Sequence, residues 1–276
     1  MKAFQTVGIV GVGLIGGSIA LDIKRRKLAQ RVVGYSRHSK NITFAKKRGI
    51  IDAGSTDLSV LSRADCVILA APVKAIISLG KKLASVVRKD ALVIDVGSTK
   101  QEIVRSLEKI FPSFVGCHPL AGSEKRGIDN VRAGLFEKSL CVLTPTPKTD
   151  DEALAQAMRL WNRLGATAIC LTPLEHDIVL SLTSHLPHAL AFSLIRSVPR
   201  EYLELSAGSL RDTTRIAASD PEVWADIFMS NNDALIDALT EFEKNIAVLK
   251  RLVRSQNRNK LVAFLSEAKQ KRTLLV

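Results

Sequence analysis

Hydrophobic positions along the chain follow two patterns, and the change between them falls near residue 172. In the first part, short apolar runs alternate with longer segments of helical periodicity, which is typical of a parallel sheet covered by helices. We predict strands at residues 7–10, 31–35, 65–72, 91–96, 114–117, 140–144 and 168–171. The helices predicted between them cover residues 15–27, 44–49, 73–87 and 151–164.

After Thr172 the pattern is helical only, with Pro173 suited to the first turn of a helix. Helical periodicity covers residues 173–198, 222–254 and 260–271. One apolar stripe consists of Leu235, Leu239, Phe242, Ile246 and Leu249. We expect this stripe to be buried against a second copy of the chain, and packing within one chain is the alternative.

The first predicted strand runs into a glycine-rich turn and then a helix, in the order Gly11-x-Gly13-x-x-Gly16. Gly11 permits a tight turn, Gly13 lets the backbone approach a pyrophosphate, and Gly16 lets helix and strand pack closely. Free N–H groups at the helix start face the phosphate charge. The predicted cofactor-binding residues at this sheet edge are Gly11, Gly13, Leu14, Ile15, Gly16, Ala71 and Pro72.

These patterns predict an α/β fold, with an N-terminal Rossmann-type doubly wound sheet followed by an all-helical dimerisation domain. The length of 276 residues favours two domains, which we place at residues 1–172 and 173–276.

The end of the second predicted strand selects between the two nicotinamide dinucleotides. An NAD site carries an acidic residue there, which holds the ribose 2′-hydroxyl, whereas a 2′-phosphate needs cations and hydroxyl donors. Residues 36–40 contain no carboxylate, and Ser36 with Arg37 can clamp a phosphate. We therefore predict NADP as the cofactor, with NAD as the alternative. If these residues have only a structural role, they form a basic turn on the surface that binds no ligand.

The formal net charge of +13 favours anionic ligands, either nucleic acid or small molecules. Basic residues form only short clusters, at 24–27, 46–48 and 269–272, and aromatic residues make up 5% of the chain. Few bases could therefore stack on the protein, so we expect no nucleic-acid partner. We attribute part of the positive charge to the binding of an anionic cofactor and substrate.

We expect a cytoplasmic protein without a membrane partner. The N-terminal apolar run contains several glycines and is shorter than the roughly 20 residues that cross a bilayer, and we find no other run of sufficient length. The cysteines, at 66, 117, 141 and 170, lie far apart in or beside apolar runs. This spacing predicts reduced core residues and no metal site.

His118 follows the strand predicted at 114–117, in the same sheet as the glycine turn. An imidazole at the carboxyl end of such a strand can face the nicotinamide and exchange a proton near neutral pH. A structural histidine is equally compatible with this position. Ser98 and Thr99 follow another strand, and the structural alternative for these hydroxyls is to cap the next helix.

Several segments together resemble the prephenate/arogenate dehydrogenases of tyrosine biosynthesis. The similar segments are the glycine turn, DVGSTK (95–100), GCHPLAG (116–122), LEHD (174–177), SHLPH (184–188), RDTTRI (211–216) and SDP (219–221). One departure is Ser209-Leu210, where the family usually has Gly-Phe.

The resemblance implies an oxidative decarboxylation: hydride leaves the hydroxyl-bearing ring carbon for nicotinamide C4, the ring carboxylate departs as carbon dioxide, and the product is aromatic. It implies that His118 takes the hydroxyl proton, that Ser98 orients it or the hydroxyl, and that Arg215 binds a carboxylate of a small anionic substrate. The other substrate-binding residues that it implies are His188, Glu124, Ser123, His185 and His176, with Asp212 and Trp224 nearby.

Two other functions fit parts of the pattern. Other dehydrogenases with a Rossmann and a helical domain, such as β-hydroxyacid dehydrogenases or imine reductases, lack HPLAG and usually place a catalytic lysine or a different polar residue in the helical domain. A dinucleotide-sensing regulator would have lost His118 or Arg215, and both are present. The choice between prephenate and arogenate, and regulation by tyrosine, stay open.

Overall fold

The structure is a computed structural model that describes residues 4–121 and 127–275. Its strands are β1 (Phe4–Val10), β2 (Ala29–Tyr35), β3 (Ala53–Ser55), β4 (Cys66–Leu69), β5 (Leu92–Asp95), β6 (Phe114–Pro119), β7 (Leu140–Thr144) and β8 (Thr167–Cys170). Its α-helices are α1 (Leu14–Arg25), α2 (Ser39–Lys47), α3 (Val73–Leu83), α4 (Gln101–Leu107), α5 (Asp151–Leu164), α6 (Pro173–Leu180), α7 (Leu186–Ser197), α8 (Gly208–Thr214), α9 (Pro221–Ser230), α10 (Asn232–Arg254) and α11 (Arg258–Arg272).

The strands form one eight-stranded sheet in the order β3-β2-β1-β4-β5-β6-β7-β8. Strands β1 to β6 are parallel, β7 runs antiparallel to β6, and β8 is parallel to β7. The order reverses between β1 and β4, and ligands of such sheets bind at that crevice, outside the carboxyl ends of the strands. The predicted fold class is confirmed.

The central strands are hydrophobic on both faces because helices cover both sides of the sheet. Ile9 and Ile94 point into one buried cluster and Val10 and Val93 into another, and all four are inaccessible to solvent. On the first side, α5 was predicted with its correct bounds. Its signals are local: the Asp150 carboxylate accepts the N–H of Ala153, and Gly165 ends the helix with a φ of 94°.

Helices α6 and α7 are joined by a π-helical turn, Ser181–His185. Pro187 has no N–H for the helical ladder, and a wider turn just before it lets the helix continue with the proline in its first turn. The combined helix Pro173–Ser197 has 25 residues. At the start of α6, Thr172 and Glu175 form a capping box, and Pro173 lies in the first turn. The helix therefore begins where Pro173 predicted a first turn.

Among the described residues, this combined helix is long and apolar enough to cross a membrane, by length and composition alone. The expectation that no segment reaches that length is therefore wrong, because the π-helical turn joins two apolar segments into one element. The expectation of no membrane partner stays a prediction.

The chain forms two compact units, of which the first ends at Asn231 and the second begins at Asn232. The first contains the sheet and the helices up to α9, and the second contains α10 and α11. The predicted domain boundary at residue 172 follows the change from sheet to helices and stays a prediction.

Other expectations need correction. Helix α2 begins at Ser39, five residues before the predicted start, and β3 was not predicted because three partly buried residues give no periodicity. Cys66, Cys117 and Cys141 are buried as expected, but Cys170 is exposed at the end of the edge strand β8.

Candidate active site

A cleft of about 940 Å³ opens at the carboxyl ends of β1, β4, β5 and β6. Sheet residues on its wall are Gly13, Leu14, Ile15, Ala70, Ala71, Pro72, Val96, Gly97, Ser98 and His118. Helical residues on the opposite wall include Thr183, Ser184, His188, Arg215, Asp220, Trp224 and Asp226. Residues predicted from six separate segments of the sequence, namely 13–15, 71–72, 98, 118, 188 and 215, thus meet at one site.

The glycine turn has the geometry that a dinucleotide requires. Gly11 has a φ of 98°, and a Cβ there would lie 2.2 Å from the carbonyl oxygen of Ala70. A Cβ on Gly16 would lie 2.2 Å from the oxygen of Gly11, whereas a Cβ on Gly13 would meet nothing within 4 Å. Gly11 and Gly16 therefore build the turn, and Gly13 leaves open space beside the cleft.

The start of α1 also fits a phosphate group. Helix α1 begins at Leu14, its N-cap is Gly13, and the described residues supply no side-chain cap and no carboxylate in its first turn. The positive end of the helix dipole therefore faces the cleft without competition from a protein anion. These observations fit the binding of a dinucleotide pyrophosphate.

Ser36 and Arg37 follow β2 directly, beside the glycine turn, because Gly11 N–H donates to the oxygen of Tyr35 at 2.9 Å. Ser36 is buried and its Oγ accepts the N–H of His38 at 3.3 Å, while Arg37 is exposed. Neither residue lines the cleft described above. The hydroxyl of Ser36 keeps its proton for donation, and the Arg37 guanidinium is accessible to a ligand.

A chain of hydrogen bonds runs from His118 into the protein. His118 Nδ1 lies 2.8 Å from His176 Nε2, and His176 Nδ1 lies 2.8 Å from Asp177 Oδ1. The Asp177 carboxylate can only accept, so His176 donates from Nδ1, and its Nε2 then accepts from His118 Nδ1. In this tautomer His118 Nε2 has no proton and is available as a base.

Burial lowers the pKa of His118 well below its usual 6.5. His176 when it is protonated, the charge of Lys100 and His185 when it is protonated act in the same direction. Burial also lowers the pKa of His176, against the opposing effect of the hydrogen bond that His176 donates to Asp177. Both imidazoles are therefore neutral at pH 7, as the tautomers derived from the geometry require.

Asp177 also fixes the start of α4. Its Oδ1 accepts the N–H of Lys100 at 2.8 Å, and its Oδ2 accepts the N–H of Gln101 at 2.9 Å. This carboxylate supplies the cap that we considered for Ser98 and Thr99, so that alternative is wrong. Thr99 Oγ1 instead pairs with Ser230 Oγ at 3.1 Å, and Ser98 lies on the cleft wall.

A second group of rings lies on the helical wall. His188 stacks on Trp224 with a centroid separation of 3.5 Å and an interplanar angle of 20°. Its Nδ1 donates to the oxygen of Ser184 at 2.9 Å, so Nε2 is an acceptor in the neutral ring. Burial lowers the pKa of His188, and the nearby charge of Arg215 lowers it further. His188, Trp224 and exposed Arg215 therefore form a wall with an aromatic surface and one cation.

Not all predicted substrate-binding residues face the cleft. His176 and His185 are buried and lie behind the wall, where His185 Nδ1 accepts from Asn231 Nδ2 at 3.2 Å. Burial lowers the pKa of His185 to about 4. Asp212 and Arg211 are exposed and are not among the described residues on the cleft wall. Ser123 and Glu124 lie outside the described residues.

The sequence interpretation missed three residues that hold the site together: Asp177, Asn231 and Lys100. Asn231 Nδ2 donates to the backbone oxygen of Asp177 at 2.8 Å, in addition to its contact with His185. Asp177 and Lys100 occur in segments that carry the family resemblance, whereas no sequence signal marks Asn231.

A dinucleotide-binding turn that shares its cleft with a neutral imidazole base and an arginine suits hydride removal from an anionic alcohol. The protein is an oxidoreductase of the class that uses a nicotinamide dinucleotide. Its family follows from comparison with known proteins.

Two family models match the chain: "Prephenate dehydrogenase, nucleotide-binding domain" over residues 19–170, and "Prephenate dehydrogenase, dimerization domain" over residues 172–267. The chain belongs to the prephenate dehydrogenase family. It is 36% identical to prephenate dehydrogenase of Bacillus subtilis, over 97% of this chain and 75% of that protein. It is 33% identical to cyclohexadienyl dehydrogenase of Zymomonas mobilis, over 100% of this chain and 97% of that protein.

The fold is also that of a solved family member. The crystal structure of prephenate dehydrogenase from Aquifex aeolicus, in complex with hydroxyphenyl propionate and NAD⁺, matches with a TM-score of 0.94 at 38% identity. The match covers 99% of this chain and 98% of that one. The β-hydroxyacid dehydrogenase alternative is represented by a 3-hydroxyisobutyrate dehydrogenase from Mycobacterium tuberculosis, with a TM-score of 0.52 at 16% identity, which shows a shared fold alone.

Proposed function

We propose that the protein catalyses the oxidative decarboxylation of prephenate, arogenate or both, with hydride transfer to a nicotinamide dinucleotide. The observation that carries this proposal is the His118–His176–Asp177 chain, which leaves an unprotonated nitrogen on His118 in a cleft whose wall also contains Ser98 and residues of the glycine turn. The similar proteins named for prephenate and cyclohexadienyl substrates support the substrate class.

His118 Nε2 accepts the substrate hydroxyl proton, and Ser98 hydrogen-bonds the same oxygen. When bound, the dinucleotide supplies a hydride acceptor at the nicotinamide ring. The C–C bond to the ring carboxylate breaks, carbon dioxide leaves, and the electron pair completes the aromatic ring. His118 then returns the proton to the phenolate oxygen, so the enzyme ends in its starting protonation state.

Arg215 suits the second carboxylate of the substrate, because a guanidinium forms two parallel hydrogen bonds with a carboxylate. The ring stack of His188 on Trp224 offers a flat surface to the substrate side chain next to it. For His176 and His185, we replace the predicted substrate contact with a positioning role, because both are buried behind the cleft wall. The roles of Ser123 and Glu124 stay predictions.

Initial rates test the proposed reaction. Prephenate and arogenate are each supplied with NADP and with NAD, reduced nucleotide is followed by absorbance, and the aromatic product is identified by chromatography. We expect turnover of at least one substrate with stoichiometric carbon dioxide release. Reduction of the nucleotide by 3-hydroxyacids, without turnover of either cyclohexadienol, would favour the β-hydroxyacid dehydrogenase alternative.

We propose NADP as the preferred cofactor, because Ser36 and Arg37 stand where an NAD site has a carboxylate. Arg37→Asp should reverse the preference, since it removes a cation and adds a charge that repels the phosphate. A hydrogen bond to a charged group contributes about 1.5–3 kcal/mol, so the ratio of kcat/KM for NADP over NAD should fall by at least about tenfold. Steady-state kinetics with both cofactors measures this ratio.

Arg63→Asp is the matched control, because it makes the same charge change at an exposed position outside the β2 turn. It should leave the ratio unchanged. The proposal is contradicted if the wild-type enzyme has a kcat/KM with NAD that equals or exceeds its kcat/KM with NADP. This comparison is needed because the similar Aquifex protein was solved in complex with NAD⁺.

We propose that the homodimer, the assembly indicated by the dimerization-domain match, forms through the helices after Thr172. Exposed apolar residues on the combined helix Pro173–Ser197 are Leu174, Ile178, Val179, Leu182 and Leu194. On α10, the predicted stripe is buried only at Leu235, and Ile246 is exposed. Light scattering at micromolar concentration should give twice the chain mass of 30.1 kDa, and a monomer would contradict the proposal.

A cytoplasmic location is also proposed.

A further inference from the structure

A buried ion pair lies between the end of β5, three residues before Ser98, and β6, which contains His118. Lys100 and Asp95 are both 0% exposed, and Lys100 Nζ contacts Asp95 Oδ2. Buried ion pairs contribute little to stability, because the cost of desolvation offsets their attraction. If the role of this pair were only structural, two apolar side chains would serve equally well. The position of this pair indicates another role.

The pair begins where the backbone ladder between β5 and β6 ends. The last backbone register between these strands joins Ile94 to Val115, and β6 continues with β7 as its partner. Beyond that point Cys117 N–H donates to Asp95 Oδ1 at 3.4 Å, and Lys100 Nζ donates to the oxygen of Cys117 at 2.8 Å. Side chains of the ion pair thus replace the missing ladder at the residue before His118.

The same pair also holds the loop that carries Ser98. Asp95 Oδ2 accepts the N–H of Gly97 at 2.8 Å, directly before Ser98. The backbone N–H of Lys100 donates to Asp177 Oδ1, the oxygen that also holds His176. Lys100 therefore contacts both ends of the hydrogen-bond chain, through its backbone at Asp177 and through its ammonium next to His118.

We propose that Asp95 and Lys100 are positioning residues, which set the separation of Ser98 and His118 where the strands diverge and place a fixed positive charge behind the base. This inference rests on the proposed function, since Ser98 and His118 are its reacting groups. Burial is the main cause of the lowered pKa of His118. The Lys100 charge lowers it further, as do His176 and His185 when they are protonated.

The double variant Asp95→Asn/Lys100→Met tests the proposal. It removes both charges together, keeps one amide oxygen that can accept the N–H of Gly97, and avoids the unpaired buried charge that a single substitution would leave. Displacement of reacting groups by about 1 Å costs on the order of 10²-fold in rate, so we expect kcat to fall by about that factor while KM changes little. The acidic limb of the kcat profile should move to higher pH, because Lys100 is among the groups that lower the pKa of His118, whereas Asp95 is not among the groups that shift it.

Lys24→Met/Asp52→Asn is the matched control. It removes an ion pair that joins α1 to the residue before β3, in which Asp52 also accepts the N–H of Val32 at 2.7 Å, away from the described cleft wall. This variant should keep the wild-type kcat and pH profile. Circular dichroism and thermal melting establish that both double variants are folded.

A second readout separates this inference from the proposed function. NMR titration of the His118 ring needs no turnover, and the pKa of His118 should rise in the Asp95→Asn/Lys100→Met variant and stay unchanged in the control. A folded variant with wild-type kcat and an unshifted His118 titration would overturn the inference. An inactive wild type with the expected NMR shift would overturn the proposed function and leave the electrostatic role of Lys100 supported.

Discussion

Replacement of His118 by asparagine is expected to lower kcat by roughly 10²–10⁴-fold, the usual contribution of general-base catalysis. Asparagine keeps a hydrogen-bonding side chain of similar reach beside His176 but has no nitrogen that accepts a proton. The substrate hydroxyl must lose its proton as hydride leaves, so the loss falls on kcat and KM should change little. Steady-state rates at saturating cofactor give both constants.

The pH dependence of the same variant identifies the base. His118 acts in its neutral form and its pKa is lowered below 6.5, so wild-type kcat should be constant near neutral pH and fall only as the pH drops through that lowered value. His118→Asn should lose this limb. His38→Asn makes the same change at an exposed position and should retain it. Near wild-type kcat with an unchanged profile in His118→Asn would rule out His118 as the base.

The sheet and the cofactor turn could be predicted from the sequence because their causes are local. A buried parallel strand must be apolar on both faces, and the turn after β1 needs glycine at positions 11 and 16, where a Cβ would meet a backbone oxygen at 2.2 Å. Each of these requirements leaves a visible pattern within a few residues. The same holds for α5 with its caps at Asp150 and Gly165.

The support of His118, the proposed base, could not be predicted in this way, because its contacts join residues far apart in the chain. Asp177 meets the start of α4 across 77 positions, and Asn231 meets Asp177 across 54. No periodicity or motif spacing encodes such a meeting. Lys100 adds a second difficulty, since a lysine in a sequence predicts exposure and this one is fully buried.

The family resemblance named residues that the structure brings to the cleft and others that it buries behind the cleft wall. It implied substrate contact for His176 and His185, whereas the structure buries both and leaves the contact with the cleft to His118 and His188. A histidine in an apolar helix gives the same sequence signal in either position. Only the packing of α6 and α7 against the sheet distinguishes a residue that binds from one that orients its neighbour.

Substitution of Arg215 by lysine is expected to act on binding instead of proton transfer. Lysine keeps the positive charge but cannot form the two parallel hydrogen bonds that a guanidinium makes with a carboxylate. One hydrogen bond to a charged group contributes about 1.5–3 kcal/mol, so KM for the substrate should rise by roughly 10- to 150-fold. The clamp is used in the ground state and the transition state alike, so kcat should change little.

Arg211→Lys is the matched control for this prediction. Arg211 lies one helical turn before Arg215, is exposed, and is not among the described residues on the cleft wall. It should keep the wild-type KM. The His118 and Arg215 variants then separate the two tasks of the site, because one changes kcat at constant KM and the other changes KM at constant kcat. A fall in kcat with unchanged KM in Arg215→Lys would show that the guanidinium acts only in the transition state, and the carboxylate clamp assigned to it would be wrong.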